Sequence, residues 1–118
     1  KDLPTLEPGE PSAEIRKRVM NARMIQAERY RDMPGVHTNA DVRSRDLVRV
    51  CRLSERERDD LVRLIERLKI SARAYDKVLR VARTLADLKG HEGVGMEEIA
   101  NAITFRKLDD HSEKSFWL

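Results

Sequence analysis

The sequence has little cysteine and few aromatic residues: Cys51 is its single cysteine among 118 residues, and the aromatic content is 4%. One cysteine cannot form an internal disulfide bond, which favours a reducing, cytoplasmic compartment. No apolar run approaches the ~20 residues that cross a bilayer, and the first residues lack the apolar core of a signal peptide. We therefore expect a cytoplasmic domain with no membrane partner.

Motifs for catalysis, nucleotide binding and metal binding are also missing. None of the five glycines belongs to a GxxxxGK[ST] phosphate-binding loop or a GxGxxG turn. The three histidines are scattered and Cys51 has no cysteine partner, which argues against a zinc site. No local pattern suggests a Ser-His-Asp or Cys-His arrangement. We expect no catalytic residue, no metal ligand and no cofactor bound by this chain alone.

Charge is abundant but nearly balanced, with 24 basic and 21 acidic residues and a net charge of +3. Arginine outnumbers lysine 17 to 7, and its planar guanidinium suits bidentate pairing with phosphate or carboxylate. These arginines are either ion-paired helix surface or a face for DNA, nucleotide phosphate or an acidic protein. The dense stretches contain Arg16, Lys17, Arg18, Arg23, Arg29 and Arg31, then Arg43, Arg45, Arg49, Arg52, Arg56 and Arg58.

The chain begins with a segment that is rich in proline. Residues 1–11 hold three of the four prolines, which predicts an extended linker. Ser12 then has the features of an N-cap for a helix of about five turns that ends near Met33-Pro34-Gly35. The apolar stripe of this helix is predicted to contain Ile15, Val19, Ala22, Gln26 and Tyr30, widened by Met20, Met24 and Ala27.

The periodicity predicts further helices after a loop over residues 34–43. Ser44, Ser54 and Ser71 are candidate N-caps, and Glu57 completes a capping box with Ser54. Gly90 is a natural helix terminator, and a last short helix spans residues 96–105. The buried faces are predicted to hold Leu47, Val48, Val50 and Cys51; Leu61, Leu64, Ile65 and Leu68; Tyr75, Val78, Leu79, Ala82, Leu85 and Ala86; and Ile99, Ala100 and Ile103.

The expected fold is therefore all-α, with four or five helices in one bundle, because no segment alternates with the period of a strand. The bundle occupies residues 12–109. Residues 110–118 form a flexible tail that ends in Phe116-Trp117-Leu118, and a tail of this kind is often free.

Arg73 lies in the first turn of the helix that Ser71 begins. A positive charge opposes the macrodipole at a helix N-terminus, so it costs a little stability unless an anion is present. An arginine at a helix start is thus a reasonable place to hold a phosphate, although many helices have one without a functional reason.

Four blocks of sequence resemble the C-terminal domain of the magnesium-chelatase-like AAA+ ATPases, the ComM/YifB competence-protein family. Residues 9–19 (GEPSAEIRKRV) resemble the family's opening, and residues 70–88 (ISARAYDKVLRVARTLADL) are the most specific block. The remaining matches are Ala22-Arg23, Gln26, Asn39-Ala40, Cys51, Glu98-Ile99-Ala100, Ala102-Ile103, Phe105-Arg106 and Leu108-Asp109. Pro11 and Gly95 depart from the family pattern.

The resemblance implies that the chain is the helical lid that follows the nucleotide-binding core of an AAA+ ATPase. Arg73 matches the family's sensor-2 arginine, which would approach the γ-phosphate of ATP. The implied cofactors are ATP and Mg²⁺, bound by the full-length protein. The implied partners are the AAA+ core of the same or a neighbouring subunit, in a homo-hexamer. The full-length protein would be an ATPase, and specifically a DNA-remodelling motor of natural transformation.

Other readings stay open beside this one. The chain could be an autonomous basic helical module that binds DNA, a fragment of a magnesium chelatase ATPase subunit, or a protein-interaction bundle. For individual residues, we expect Tyr75 to be core and Cys51 to be an inert core thiol. Arg16, Arg23 and Arg83 are expected to form surface ion pairs.

Overall fold

The computed structural model describes residues 10–105, and five α-helices and one short 3₁₀ turn form this part of the chain. The α-helices are α1 (Glu10–Arg29), α2 (Ser44–Cys51), α3 (Glu55–Leu68), α4 (Ala72–Lys89) and α5 (96–105), and the 3₁₀ turn is Asn39–Asp41. No strand occurs among the described residues, so the prediction of an all-α fold is confirmed. Residues 1–9 of the linker predicted over 1–11, and the predicted tail over 110–118, lie outside this range. The last two residues of that predicted linker, Glu10 and Pro11, belong to α1.

Local capping sets several helix ends. The Oγ of Ser54 accepts a hydrogen bond from the Glu57 N–H (3.1 Å), and Glu57 accepts one from the Ser54 N–H (3.0 Å), which completes the capping box. Ser71 caps α4 through the Ala74 N–H (3.2 Å). Gly90 ends α4 with φ of 76°, a conformation that glycine adopts without steric cost.

Two of the predicted N-caps are wrong. Ser12 lies inside α1, two residues after Glu10, and Ser44 is the first residue of α2, which Arg43 precedes. Pro11 is tolerated in the first turn because the N–H groups of that turn have no helical acceptor.

Helix α4 lies at the centre of the core. Its buried face contains Val78, Leu79, Ala82 and Ala86, and both α1 and α2 pack against α4. Burial of these side chains contributes roughly 25 cal/mol per Å² of apolar surface. Leu61 brings α3 into the same cluster, and Ile99, Ala102 and Ile103 bring α5 into it.

The predicted apolar faces of α1 and α5 need correction. Ile15, Met20 and Met24 are exposed. The bundle packs against the C-terminal half of α1 on the side of Ala22 and Gln26, whereas Ile15 lies in the N-terminal half and the two methionines lie on the other side of the helix. On α5, Ala100 is exposed and Ala102 is buried in its place. Helical periodicity allows several adjacent positions to face the core, and it does not specify which of them packs against another helix.

Cys51 is fully buried, and its Sγ lies 3.5 Å from the Leu79 carbonyl oxygen. Burial raises the pKa of this thiol to about 11. We expect Ellman's reagent at pH 8 to modify native Cys51 at least about 100-fold more slowly than the denatured thiol, because the thiolate is the reactive form. Equal rates for Cys51 in native and in urea-unfolded protein would contradict this burial.

Candidate functional site

The N-terminal end of α4 is the candidate site, and Ser71 sets its geometry. The Ser71 Oγ binds the Ala74 N–H, and its carbonyl oxygen accepts the Tyr75 N–H at 2.8 Å. The N–H groups of Ala72 and Arg73 point out of the helix end, since the first four N–H groups of any helix have no partner within it. This end of α4 therefore presents backbone donors to the outside.

Arg73 stands in this first turn with its side chain exposed. The first turn of α4 contains no acidic residue, whereas the first turn of α3 contains Glu55 and Glu57. Within residues 12–105, no salt bridge or hydrogen bond engages the Arg73 guanidinium. Helix dipole and guanidinium together favour an oxyanion at this point, and a phosphate group fits such a donor set.

Tyr75, two residues further along, is half-buried and packs against the core, as predicted. Burial raises the pKa of its hydroxyl, so Tyr75 stays neutral at physiological pH. It supports the end of α4 from the inside, while Arg73 faces outward.

A buried carboxylate holds the other end of α4 against α1. The carboxylate of Asp87 binds the Arg29 guanidinium in a bidentate pair, at 2.6 Å to Nη2 and 3.0 Å to Nη1. The Asn39 amide donates to the same carboxylate at 3.0 Å. Burial is the largest single influence on the pKa of Arg29 and lowers it, but the hydrogen bonds and charge interactions with Asp87 and Tyr30 together outweigh burial, so that pKa is raised. Arg29 is therefore charged in the folded protein.

Arg83 lies in the interior, so the prediction that it forms a surface ion pair is wrong. It is 0% exposed. Its guanidinium donates to the carbonyl oxygens of Val50 (3.0 Å), Glu92 (2.9 Å) and His91 (2.9 Å), and it lies 3.1 Å from Asp87. Its Nε has no hydrogen-bond partner among the described residues. Arg83 therefore fastens α4 to the end of α2 and to the loop that precedes α5.

A hydrogen-bond network that reaches the Asp87 carboxylate joins three residues from the blocks that resemble the family: Gln26, Asn39 and Thr84. The Gln26 Oε1 accepts the Asn39 N–H at 2.9 Å, and the Asn39 Nδ2 donates to Thr84 Oγ1 at 2.9 Å. The Tyr30 hydroxyl also donates to Asn39. Burial raises the pKa of Tyr30, so its hydroxyl keeps the proton that it donates. These polar groups are a structural clamp between α1, the 3₁₀ turn and α4.

Arg80 adds a further attachment, since its Nε and Nη2 both donate to the Val42 carbonyl oxygen, at 3.1 Å and 2.9 Å. With Arg83 and Asp87, three polar side chains fix α4 along its length. A rigid helix positions a terminal group more precisely than a loop does. The helix that presents Arg73 is therefore held in place by interactions far from Arg73.

The remaining arginines of the two dense stretches do not act alike. Arg29 pairs with the buried Asp87, and Arg45 and Arg49 both pair with Asp46. Arg16, Arg23, Arg43, Arg52, Arg56 and Arg58 are exposed. Within residues 12–105, Arg16 and Arg23 form no ion pair, so the prediction of surface ion pairs is not met for them there. Nothing in this geometry singles out a DNA face, and DNA binding stays a prediction.

An open cleft of about 500 Å³ lies elsewhere, between α1, α2 and residues 90–92. Its lining mixes apolar side chains with Glu28, Arg29, Arg49 and Glu92, and Arg73 is not among its residues. Among the described residues, no group of three His, Cys, Asp or Glu side chains could hold a metal ion. None of the described helices is both long and apolar enough to span a membrane.

Comparison of the sequence with known proteins shows which family the chain resembles. The model of the family described as magnesium chelatase, subunit ChlI C-terminal, matches residues 9–106. The competence protein ComM of Haemophilus influenzae is 34% identical over 100 residues, which are 85% of this chain and 19% of that protein. An uncharacterised protein of Mycobacterium tuberculosis is 39% identical over 99 residues, or 84% of this chain and 20% of that protein.

The uncharacterised protein YifB of Escherichia coli is 31% identical over 105 residues, covering 89% of this chain and 20% of that protein. The chain thus spans about one fifth of the length of these relatives.

Proposed function

Because the chain belongs to the family of the magnesium chelatase subunit ChlI C-terminal domain, we propose that it is the helical lid of an AAA+ ATPase and that Arg73 is its sensor-2 arginine. The observation that supports this role is the exposed Arg73 guanidinium at a helix N-terminus that has no acidic residue in its first turn. Both the backbone donors and the side chain at that end are suited to an anion.

The residues present fit one part of an ATP site. Arg73 stabilises negative charge on the terminal phosphate oxygens of ATP, and Mg²⁺ supplies further charge neutralisation at the phosphates. The chain has no phosphate-binding loop. The rest of the nucleotide site therefore belongs to an AAA+ core domain in the same or a neighbouring subunit, within a homo-hexamer.

The wider role of the full-length protein is proposed from its similarity to ComM and YifB. We place it in the cytoplasm, as a DNA-remodelling motor of the kind that natural transformation requires. A magnesium chelatase subunit is the alternative within the same family, and it would need porphyrin-handling partner subunits. In either case the lid assists ATP turnover and subunit contacts, and does not itself catalyse hydrolysis.

Replacing Arg73 with alanine in the full-length protein is expected to lower the rate of ATP hydrolysis by roughly 10²-fold, as loss of one charge-stabilising donor does in other enzymes. The variant should still fold, because Arg73 is exposed and its guanidinium forms no hydrogen bond or ion pair with another described residue. The steady-state rate of phosphate release tests the first statement, and the melting temperature of the variant tests the second.

Arg63→Ala is the matched control, because Arg63 is also an exposed helical arginine and its ion pair with Asp60 (3.4 Å) lies at the surface. Such pairs contribute about 0–1 kcal/mol, so this variant should keep its ATP turnover. Unchanged turnover and nucleotide affinity in Arg73→Ala would refute the sensor-2 assignment. Equal loss in both variants would also refute it, since the effect would then not be specific to position 73.

A further inference from the structure

Helix α1 exposes a basic and apolar surface on the side that faces away from the bundle. Its residues recur at helical spacing, and we call them the basic stripe: Arg16, Lys17, Met20, Arg23, Met24 and Ala27. Met20 is 53% exposed and Met24 is 67% exposed. Methionine is flexible and polarisable, and it is common on surfaces that adapt to a protein partner.

Helix α3 exposes a line of acidic side chains, with the exposed arginines Arg58 and Arg63 on its two flanks. The acidic stripe consists of Glu55, Asp59, Val62 and Glu66, at spacings of four, three and four residues, which place the four side chains on one face of a helix. All four are exposed, and Val62, near the middle of the stripe, is 53% exposed. The carboxylates of Glu55 and Asp59 are four residues apart, where like charges destabilise a helix.

Neither stripe is buried or ion-paired by other residues within the range 12–105. Met20, Met24 and Val62 are three of the five large apolar side chains that the described residues expose. Within residues 12–105, no salt bridge uses any charged group of the two stripes, although Arg63 and Asp60 on α3 do pair with each other. Each stripe thus combines exposed apolar surface with charges of one sign that have no described partner.

We propose that the basic stripe of one copy of this chain binds the acidic stripe of a second copy. Each stripe spans twelve residues from first to last, so its ends are about 16 Å apart after eleven steps of roughly 1.5 Å. The two therefore match in length, are opposite in charge, and each carries exposed apolar side chains next to its charges. Protein interfaces commonly combine apolar contact with polar and charged groups in this way.

The contact joins two different surfaces, so repetition of it produces a ring or an open chain of subunits. A single helix-on-helix contact buries less than the roughly 1,200 Å² of a stable interface, so it acts as one part of a larger subunit contact. In that respect it rests on the proposed assembly of the full-length protein. It does not depend on Arg73 or on ATP.

Disulfide cross-linking of the full-length protein tests the contact directly. One variant carries Met24→Cys and another carries Val62→Cys, in a background without other accessible cysteines; Cys51 is fully buried and can remain. Mild oxidation of the mixture should give the mixed dimer in at least tenfold excess over either variant alone. A yield of mixed dimer no higher than that of the single variants overturns the proposal.

Charge exchange tests the energetics of the same contact. Arg23→Glu and Glu66→Arg should each raise the subunit concentration for half-assembly about tenfold, because each places like charges across the interface. A chain with both changes should assemble near the original concentration. Failure of the double variant to recover would overturn the pairing, and so would assembly unaffected by either single change.

Arg18→Glu is the matched control, since Arg18 is an exposed arginine of α1 on the opposite side of the helix from the basic stripe. It should leave assembly unchanged, and a tenfold loss in this variant would count against a specific contact. Failure of the contact is distinguishable from failure of the ATP role, because Arg73→Ala should still give the Met24→Cys and Val62→Cys cross-link.

Discussion

Replacing Asp87 with alanine is expected to destabilise the folded chain by about 4 kcal/mol, because it removes the carboxylate that two guanidinium groups share. Arg83 would be left buried with no carboxylate beside it, and Arg29 would lose its bidentate partner. The Asn39 amide would lose an acceptor as well. Domains of this size are typically stable by 5–15 kcal/mol, so the loss is a large part of the total.

Urea unfolding of the 118-residue chain, followed by circular dichroism, measures this change. With a slope of about 1.5 kcal/mol per molar urea, the midpoint should fall by roughly 2–3 M. Asp60→Ala is the control, because its ion pair with Arg63 is at the surface and should be worth less than about 1 kcal/mol. A shift in Asp87→Ala as small as the shift in Asp60→Ala would show that the buried ion pairs do not hold α4 to α1.

Replacing Arg83 with methionine is expected to cost about 3 kcal/mol, for a different reason. Methionine fills much of the volume, so the loss comes mainly from the carbonyl oxygens of Val50, His91 and Glu92, which lose a charged donor. A buried acceptor without a partner costs about 1–3 kcal/mol. Asp87 keeps Arg29 as its counter-ion in this variant, which limits the electrostatic part of the cost.

Arg80→Met is the matched comparison on the same helix. Arg80 donates only to the Val42 carbonyl oxygen and is half-buried, so water can replace it in part. We expect a loss of about 1 kcal/mol for this variant in the same urea experiment. Equal losses in the two variants would mean that the interior position of Arg83 does not decide its contribution.

The helix order and several helix ends could be read from short stretches of sequence. Ser54 with Glu57, Ser71 and Gly90 act within one or two turns, so neighbouring residues are enough to predict their role. The assignment to the magnesium chelatase C-terminal family is confirmed by the family model that matches residues 9–106, and it could be predicted because the blocks that resemble the family are contiguous in the sequence. The role of Arg73 as a phosphate ligand stays a prediction.

Arg83, with its partner Asp87, shows where a surface interpretation of charge failed. They are four residues apart and lie on the same helical face as Leu79, Ala82 and Ala86, which was a signal of burial. Arginine and aspartate are nevertheless almost always exposed unless paired, and the carbonyl oxygens that satisfy Arg83 come from residues 8, 9 and 33 positions away. That partnership could not be inferred from the local sequence.

Helical periodicity, caps and contiguous motifs are local properties of the chain, and they were enough to predict the all-α class, the order of helices α1 to α5 and the family. The tertiary structure was needed to show which charges enter the interior and which apolar side chains stay outside. Arg83 is buried because three distant carbonyl groups meet around it, and Met20 and Met24 are exposed because no element of the bundle reaches their side of α1. Burial depends on what folds against a residue, and that neighbour is set by packing across the whole domain.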